Sequence, residues 1–316
     1  STITAHLSRS IVKEMQPGEE IIVTDLDHYS NVSFWEQAAQ DRRVTVKRVR
    51  IRPDDCTLDT DHLESLLSPR TRLVAFTLAS NLTGSLTDAE RIVKAAHQAG
   101  AMVYVDAVHY APHFLPDVQA LAPDFLACSA YKFFGPHQAF VWGRRAHLER
   151  FRPYKVEPAA QTPPDCWETG TKSFEALAGV TAAIEYLASF GTGANLRVQL
   201  ASAYAQIAAY EQTWTKVFLE QAASIAGLKI YGITDPARLA RRTATFAFTI
   251  QGIAPQRVSE HLAGHHIAAG AGNFYAKGIT TALGLEKDGG VVRAGALHYN
   301  TVEDLERFFG ALKQMN

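Results

Sequence analysis

Cysteine is scarce: three residues in 316, at positions 56, 128 and 166. They are too few, too far apart and odd in number for a disulfide framework or a zinc cluster of closely spaced thiols, and they fit a reducing cytoplasm. No uninterrupted apolar run reaches the length of about 18 residues that a membrane span needs, and no charged-then-apolar leader opens the chain. Neither sign of charge is in excess, since 31 Lys and Arg stand against 32 Asp and Glu. That balance excludes a global basic field for nucleic acid or anionic membrane. There is no Walker loop, no G-x-G-x-x-G and no G-x-S-x-G. The two histidines of "HYAPH", His109 and His113, lack a metalloprotease glutamate and are separated by Pro112, so no metal is expected.

What is present is a hydrophobic fraction of 47% with 20% charged residues, enough for a large core and two domains. The opening stretch "STITAHLSRSIVKEM" places Ile3, Leu7 and Ile11 on one helical face and reads as a start inside a domain. Apolar segments then alternate with amphipathic ones. "EEIIVT", "VTVKRVRI", "TRLVAFTLASN", "AMVYVDAVH", "DFLACSAYK" and "AFVWGR" read as strands, while "VSFWEQAAQD", "LDTDHLESLLS" and "LTDAERIVKAAHQAG" read as helices. This is the pattern of an α/β fold with a mostly parallel sheet covered by helices on both faces. After the Pro-rich "FRPYKVEPAAQTPPDCWETGT", two helical stretches lead to a smaller α/β unit that includes "TATFAFTI" and "GVVRAGALHY" as strands. The boundary is placed between 190 and 191.

Ligands of such sheets sit at the carboxyl ends of the strands, so the polar residues there carry the chemistry. Lys132 in "CSAYKFFGP" follows an apolar run and precedes two phenylalanines. Either its ammonium snorkels to the surface, or desolvation lowers its pKa and frees a nucleophilic amine. Asp106 ends "AMVYVD" at the same sheet edge; alone it reads as a cap or a turn. With Lys132 it forms the pair that pyridoxal phosphate requires, a lysine for the aldehyde and an acid for the pyridine nitrogen. His28 offers an imidazole to lie against a ring. Asn81 and His109 offer hydrogen bonds to a ring hydroxyl, and Ser129 and Tyr131 offer hydroxyls to a phosphate. Thr171 in "ETGTKS" is either part of an anion-binding turn or simply a turn before a helix. Arg293, interrupting an apolar strand, suits an α-carboxylate or a structural ion pair.

Taken in order, "DLDHYSN", "ASNLTGS", "VYVDAVHYAPH", "CSAYKFFGP", "WETGTKSFE" and "VVRAGALHYNT" resemble the class V aminotransferase family of fold-type I pyridoxal phosphate enzymes, in its cysteine desulfurase-like branch. The resemblance covers essentially the whole chain. It implies a pyridoxal phosphate-binding unit over residues 1–190 and a second unit over 191–316, Lys132 as the Schiff-base lysine, Asp106 on the pyridine nitrogen and His28 stacked on the ring. It further implies Asn81 and His109 at the ring hydroxyl, Ser129 and Tyr131 at the phosphate, and Arg293 as the anchor of an amino acid substrate. Thr171 is implied to reach the phosphate of a neighbouring subunit, which makes a homodimer part of the site. The expected outcome is transamination, desulfuration, β-elimination or racemisation, with a cofactor-free binding protein of the same fold as the contrasting reading. Two features depart from the family. The mobile-loop cysteine that receives sulfur in desulfurases has no counterpart in "GAGNFYAKG", where Tyr275 is nearest that place. The small-residue phosphate loop that precedes the first helix in relatives lies outside the sequence.

Overall fold

The apolar segments form two main sheets and a small two-stranded one in the computed structural model, which describes residues 1–315. In chain order the strands are β1 (Glu20–Thr24), β2 (Thr45–Val49), β3 (Ile51–Arg52), β4 (Thr57–Leu58), β5 (Thr71–Thr77), β6 (Met102–Asp106), β7 (Phe125–Ser129), β8 (Ala139–Gly143), β9 (Leu228–Tyr231), β10 (Thr245–Ile250), β11 (Gly270–Gly272) and β12 (Val291–Gly295). The larger sheet has the order β2-β1-β5-β6-β7-β8. Its strands pair in parallel except β8, which returns antiparallel to β7. The smaller sheet, β11-β12-β10-β9, is antiparallel throughout.

Successive side chains of a strand point to opposite faces. In β5, Val74 and Phe76 accordingly join one core, with Ile92 and Val93 of helix Ala89–Gln98, while Leu73 and Ala75 join another, with Leu7 and Ile11 of helix Thr2–Val12 and Trp35 of helix Ser33–Arg42. Covering both faces is why these strands read as continuous apolar runs. A third core, built on Phe246, Phe248, Phe308 and Phe309, fills the smaller sheet. Helix Leu196–Ala222, started by the Asn195 side chain accepting from the Val198 amide, is about 40 Å long. Its Tyr204 and Ile207 pack in the first core and its Trp214 and Phe218 in the third. No described helix is long and apolar enough to cross a membrane.

Arg242 ties the smaller sheet to the loop after β5. It is 3% exposed and donates to the carbonyls of Thr83 (3.3 Å), Thr245 (2.7 Å), Thr243 (3.2 Å) and Ile233. Burial in this all-carbonyl setting pushes the guanidinium down to about 10. Gly84 lies in the left-handed region at φ +76, and a Cβ there would stand 2.8 Å from the Thr245 carbonyl oxygen, so only glycine allows this approach.

Several strands are shorter than the sequence implies: β5, β6 and β7 end at Thr77, Asp106 and Ser129, before the polar residues that follow them, and two more segments are cut by specific hydrogen bonds. "GVVRAGALHY" stops at Gly295, because Asn300 bonds back to Leu297 and Thr301 then starts helix Val302–Lys313 with a reciprocal capping box to Asp304. "VTVKRVRI" breaks at Arg50, whose amide donates to His62 Nδ1 and whose carbonyl accepts from the Asp59 amide.

At the start of β1, Glu20 is 1% exposed and meets Lys47 Nζ at 2.7 Å, Arg70 at 3.0 Å and Ser68 Oγ at 2.7 Å. Burial opposes its ionisation, but these partners outweigh it and hold the carboxyl at about 2. A depressed folded pKa contributes stability that is fully present above the unfolded value and is lost as pH falls through the folded one. Glu20→Gln is therefore expected to cost roughly 1–3 kcal/mol at neutral pH. Urea unfolding at pH 7 and at successive lower values should show the gap to the unaltered protein closing between about 4.5 and 2. A gap that stays constant would rule out the ionic origin.

Candidate active site

Parallel pairing brings the carboxyl ends of β1, β5, β6 and β7 to one edge, with Thr77 opposite Asp106 and Asp106 opposite Ala127. After β1, buried Asp27 accepts from Thr24 Oγ1 and from Asn31 Nδ2 (2.8 Å), and Asn31 Oδ1 accepts from Trp35 Nε1 (3.0 Å). This buried chain of bonds shapes the turn that presents His28. His28 Nδ1 accepts from the Ser30 amide at 3.1 Å. Burial first, and then the Lys132 charge, push the imidazole down to about 4, so it is neutral at physiological pH.

After β6, Asp106 accepts from the Val108 amide through Oδ1 at 2.8 Å. Its side chain is buried, and burial raises its pKa against that hydrogen bond. After β7, Lys132 lies in the 3₁₀ turn Ala130–Phe133, with its ammonium 5.3 Å from the Tyr131 ring centre. Burial and then the Arg293 guanidinium lower the Lys132 pKa, while Asp106 pulls the other way. Loss of positive charge by a crowded, half-buried amine is what turns a lysine into a nucleophile.

The smaller sheet supplies the opposite wall. Arg293 in β12 lies between Gly270 of β11 and Ala247 of β10, small neighbours that leave room for its side chain. Its Nη1 donates to the Asn81 carbonyl at 2.7 Å, and its guanidinium lies 4.1 Å from the centre of the Phe274 ring. Among the described residues no carboxylate pairs with it, and burial lowers its pKa. Asn81 Nδ2 donates to the Phe274 carbonyl at 2.9 Å. The Tyr275 carbonyl accepts from the Tyr29 amide at 2.7 Å, and its ring lies 5.3 Å from that of His28. A Cβ on Gly278 would stand 2.5 Å from the Asp25 carbonyl oxygen, so glycine lets this loop close on the β1 turn.

Between these walls is a cavity of about 380 Å³, within the size range of small-molecule sites. His28, Asn81, Asp106, His109, Ser129, Tyr131, Lys132 and Arg293 all line it. His109 Nε2 is 3.1 Å from Thr245 Oγ1, and burial, followed by the charge of His113, holds it well below the usual histidine value. Thr171 is not brought to this cavity; it lies on a separate surface depression beside Lys172 and Phe174. Phe274, Ser30 and Thr77 also line the cavity. Sequence reasoning missed them because nothing local distinguishes a phenylalanine that covers an arginine from one that fills a core. Ser1, which precedes helix Thr2–Val12, opens on the same space, so a helix N-terminus with its positive dipole end faces it.

Residues 4–308 match the family described as Aminotransferase class-V. The chain belongs to the class-V aminotransferase family. Among relatives of this class-V chain, the aminotransferase-like protein FGM3 of Gibberella zeae is 33% identical over all of this chain and 77% of its own length. A cysteine desulfurase of Synechococcus elongatus is 31% identical over 96% of this chain. The chain spans 47% of that desulfurase, about half of its length. The crystal structure of the cysteine desulfurase CsdA from Escherichia coli superposes with a TM-score of 0.86 at 27% identity, covering 99% of this chain and 76% of CsdA.

Class-V enzymes use pyridoxal phosphate, and the residues present fit it. Asn81 Oδ1 is buried with no hydrogen-bond partner among the described residues, and Asn81 lines the cavity, where that oxygen would accept from a ligand hydroxyl. Asp106 is a buried carboxyl whose ionised form needs a cationic partner, which a protonated ring nitrogen supplies. No group of described residues could hold a metal ion.

The charge coupling between Lys132 and Arg293 is directly measurable. Arg293→Met removes a cation that lowers the lysine pKa, so the Lys132 midpoint should rise. Reductive ¹³C-methylation followed by an NMR pH titration, assigned with Lys132→Ala, reads that midpoint. A midpoint that stays or falls would show that burial alone perturbs the amine.

Proposed function

We propose that this chain is a pyridoxal phosphate-dependent enzyme that acts at the α-carbon of an amino acid, of the transferase or lyase type. The observation that carries the reading is the convergence of Lys132, Asp106 and Arg293 on one cavity, the arginine without a carboxylate partner among the described residues. Residues 1–190 hold the cofactor and residues 191–316 bring the substrate anchor. Pyridoxal phosphate, when bound, supplies an electron-withdrawing ring that weakens the bonds of the attached α-carbon.

The protein's own groups divide the remaining work. Arg293 takes the substrate carboxylate through its guanidinium fork, and the short link from its Nη1 to the Asn81 carbonyl fixes the direction of that fork. Lys132 Nζ, whose proton affinity is lowered by burial and by Arg293, would hold the cofactor and accept and return a proton at the α-carbon. Asp106 would keep the ring nitrogen protonated. Neutral His28 would cover the ring without adding charge, and Asn81 and His109 would hydrogen-bond its hydroxyl. Ser129 and Tyr131 would hold the phosphate with their hydroxyls.

Thr171 completes the phosphate site of a second copy in a homodimer. The large apolar side chains exposed near it and beyond, Phe174, Leu177, Phe140 and Trp142, support such a covered face. A persulfide route through the loop Gly270–Gly278 is not part of this reading. Tyr275 stands in that loop, and Cys56, Cys128 and Cys166 are all buried, with burial pushing Cys56 and Cys128 up to about 12.

Absorbance of the protein with added pyridoxal phosphate, before and after L-cysteine and L-alanine, tests the reading. A cofactor band that responds to the amino acids is expected, and Lys132→Ala should lose the borohydride-trappable link while keeping its circular dichroism. Arg293→Ala should weaken amino acid binding by about tenfold or more with a much smaller change for the cofactor. Pyruvate formed from cysteine without an amino acceptor would select a lyase, and its absence with acceptor-dependent turnover a transferase. No band in protein of native fold would instead favour a cofactor-free binding protein.

A further inference from the structure

Once the carboxylate and amine of a substrate are assigned to Arg293 and Lys132, the rest of the cavity mouth determines which side chain fits. That mouth is aromatic. Phe274 and Tyr275 are consecutive, non-glycine residues held in the left-handed region, at φ +51 and +60. Such a conformation is disfavoured for large side chains, and it persists only when surrounding contacts impose it. Those contacts are present: the Phe274 carbonyl is bound by Asn81, the Tyr275 carbonyl by the Tyr29 amide, and the Tyr275 amide by Asn273 Oδ1 at 3.1 Å.

The strained pair aims two rings at two different partners. Phe274 lies against the Arg293 guanidinium, and Tyr275 stands by His28 with 72% of its surface exposed. So large an exposed ring, on a backbone anchored at successive carbonyls, is a contact surface waiting for an apolar partner. His28 beside it is neutral. Among the described residues the side-chain cations lining the cavity are Lys132 and Arg293, both already engaged under the proposed function. A second substrate carboxylate placed beside Phe274 and Tyr275 would find apolar ring surface and no free side-chain counter-ion among the described residues lining the cavity.

We infer that Phe274 and Tyr275 form the side-chain subsite of the enzyme, with Tyr275 as its specificity-determining residue, and that the substrate is a monocarboxylic α-amino acid with an uncharged side chain. This inference rests on the proposed function and adds the substrate class to it.

The test uses the protein loaded with pyridoxal phosphate. Dissociation constants for L-alanine, L-cysteine, L-phenylalanine, L-glutamate and L-aspartate are read from the change in the cofactor band. The uncharged amino acids should bind at least about tenfold more tightly than the two dicarboxylic ones. Tyr275→Ala should erase the difference between phenylalanine and alanine by about fivefold or more, the order expected for losing one aromatic contact. Cofactor affinity should change less than phenylalanine affinity, since Tyr275 acts on the cofactor only through its contact with His28. Tyr275→Phe keeps the ring and should keep the preference, and Tyr275→Leu replaces Tyr275→Ala if the latter does not fold. Glutamate or aspartate binding as tightly as alanine would overturn the inference, as would an equal loss for every amino acid in Tyr275→Ala. Failure of the proposed function looks different, because then the unaltered protein shows no amino acid-sensitive band at all.

Discussion

The cavity depends first on the in-register parallel pairing of β5, β6 and β7. Because Thr77, Asp106 and Ala127 lie side by side, every chain segment leaving these strands emerges at one edge of the sheet. A parallel sheet forces this outcome, since each strand must be followed by a crossover before the next begins at the opposite edge. Asp106 and Lys132 come from different strands and reach the same cavity without either loop having to be long. An antiparallel neighbour would have sent one of them to the far side. The sheet turns antiparallel only at β8, after Lys132 has been placed.

The second constraint is electrostatic. Two cationic side chains, Lys132 and Arg293, are brought into a half-buried cavity together with one buried carboxyl, Asp106. Neither cation satisfies the other, and each lowers the proton affinity available nearby, as the depressed imidazole of His28 shows. The lowest-energy way to relieve such an arrangement is an anionic, hydrogen-bonding ligand that also offers Asp106 a proton.

Most of this was legible in the sequence for a physical reason. A strand buried on both faces must be apolar along its length, so a polar residue at its end is conspicuous, and that is how Asp106, Lys132 and the turn at His28 stand out. Arg293 was visible because it breaks the run "GVVRAG". Phe274 was not visible, because its role comes from a cation 19 positions later on a different strand and not from its neighbours. The same holds for Arg242, whose four carbonyl partners belong to segments that no local pattern connects. The short length of "GVVRAGALHY" as a strand was hidden for the opposite reason: apolar residues continue past Gly295, and only the Asn300 and Thr301 side chains divert the backbone. Thr171 remained a matter of family likeness, since its proposed task lies in another copy of the chain.

The sequence separations of the contacts that close the cavity have a consequence for how it is made. Arg242 meets Thr83 across 159 residues, Asn81 meets Phe274 across 193, and Arg293 meets Asn81 across 212. Contacts this distant add little local reward until a large loop has been closed, so they form late. The six-stranded sheet and its lysine, all within the first 143 residues, can assemble while the chain that will supply the guanidinium is still unmade. During synthesis Lys132 is therefore made well before Arg293, which lines the other wall of the same cavity.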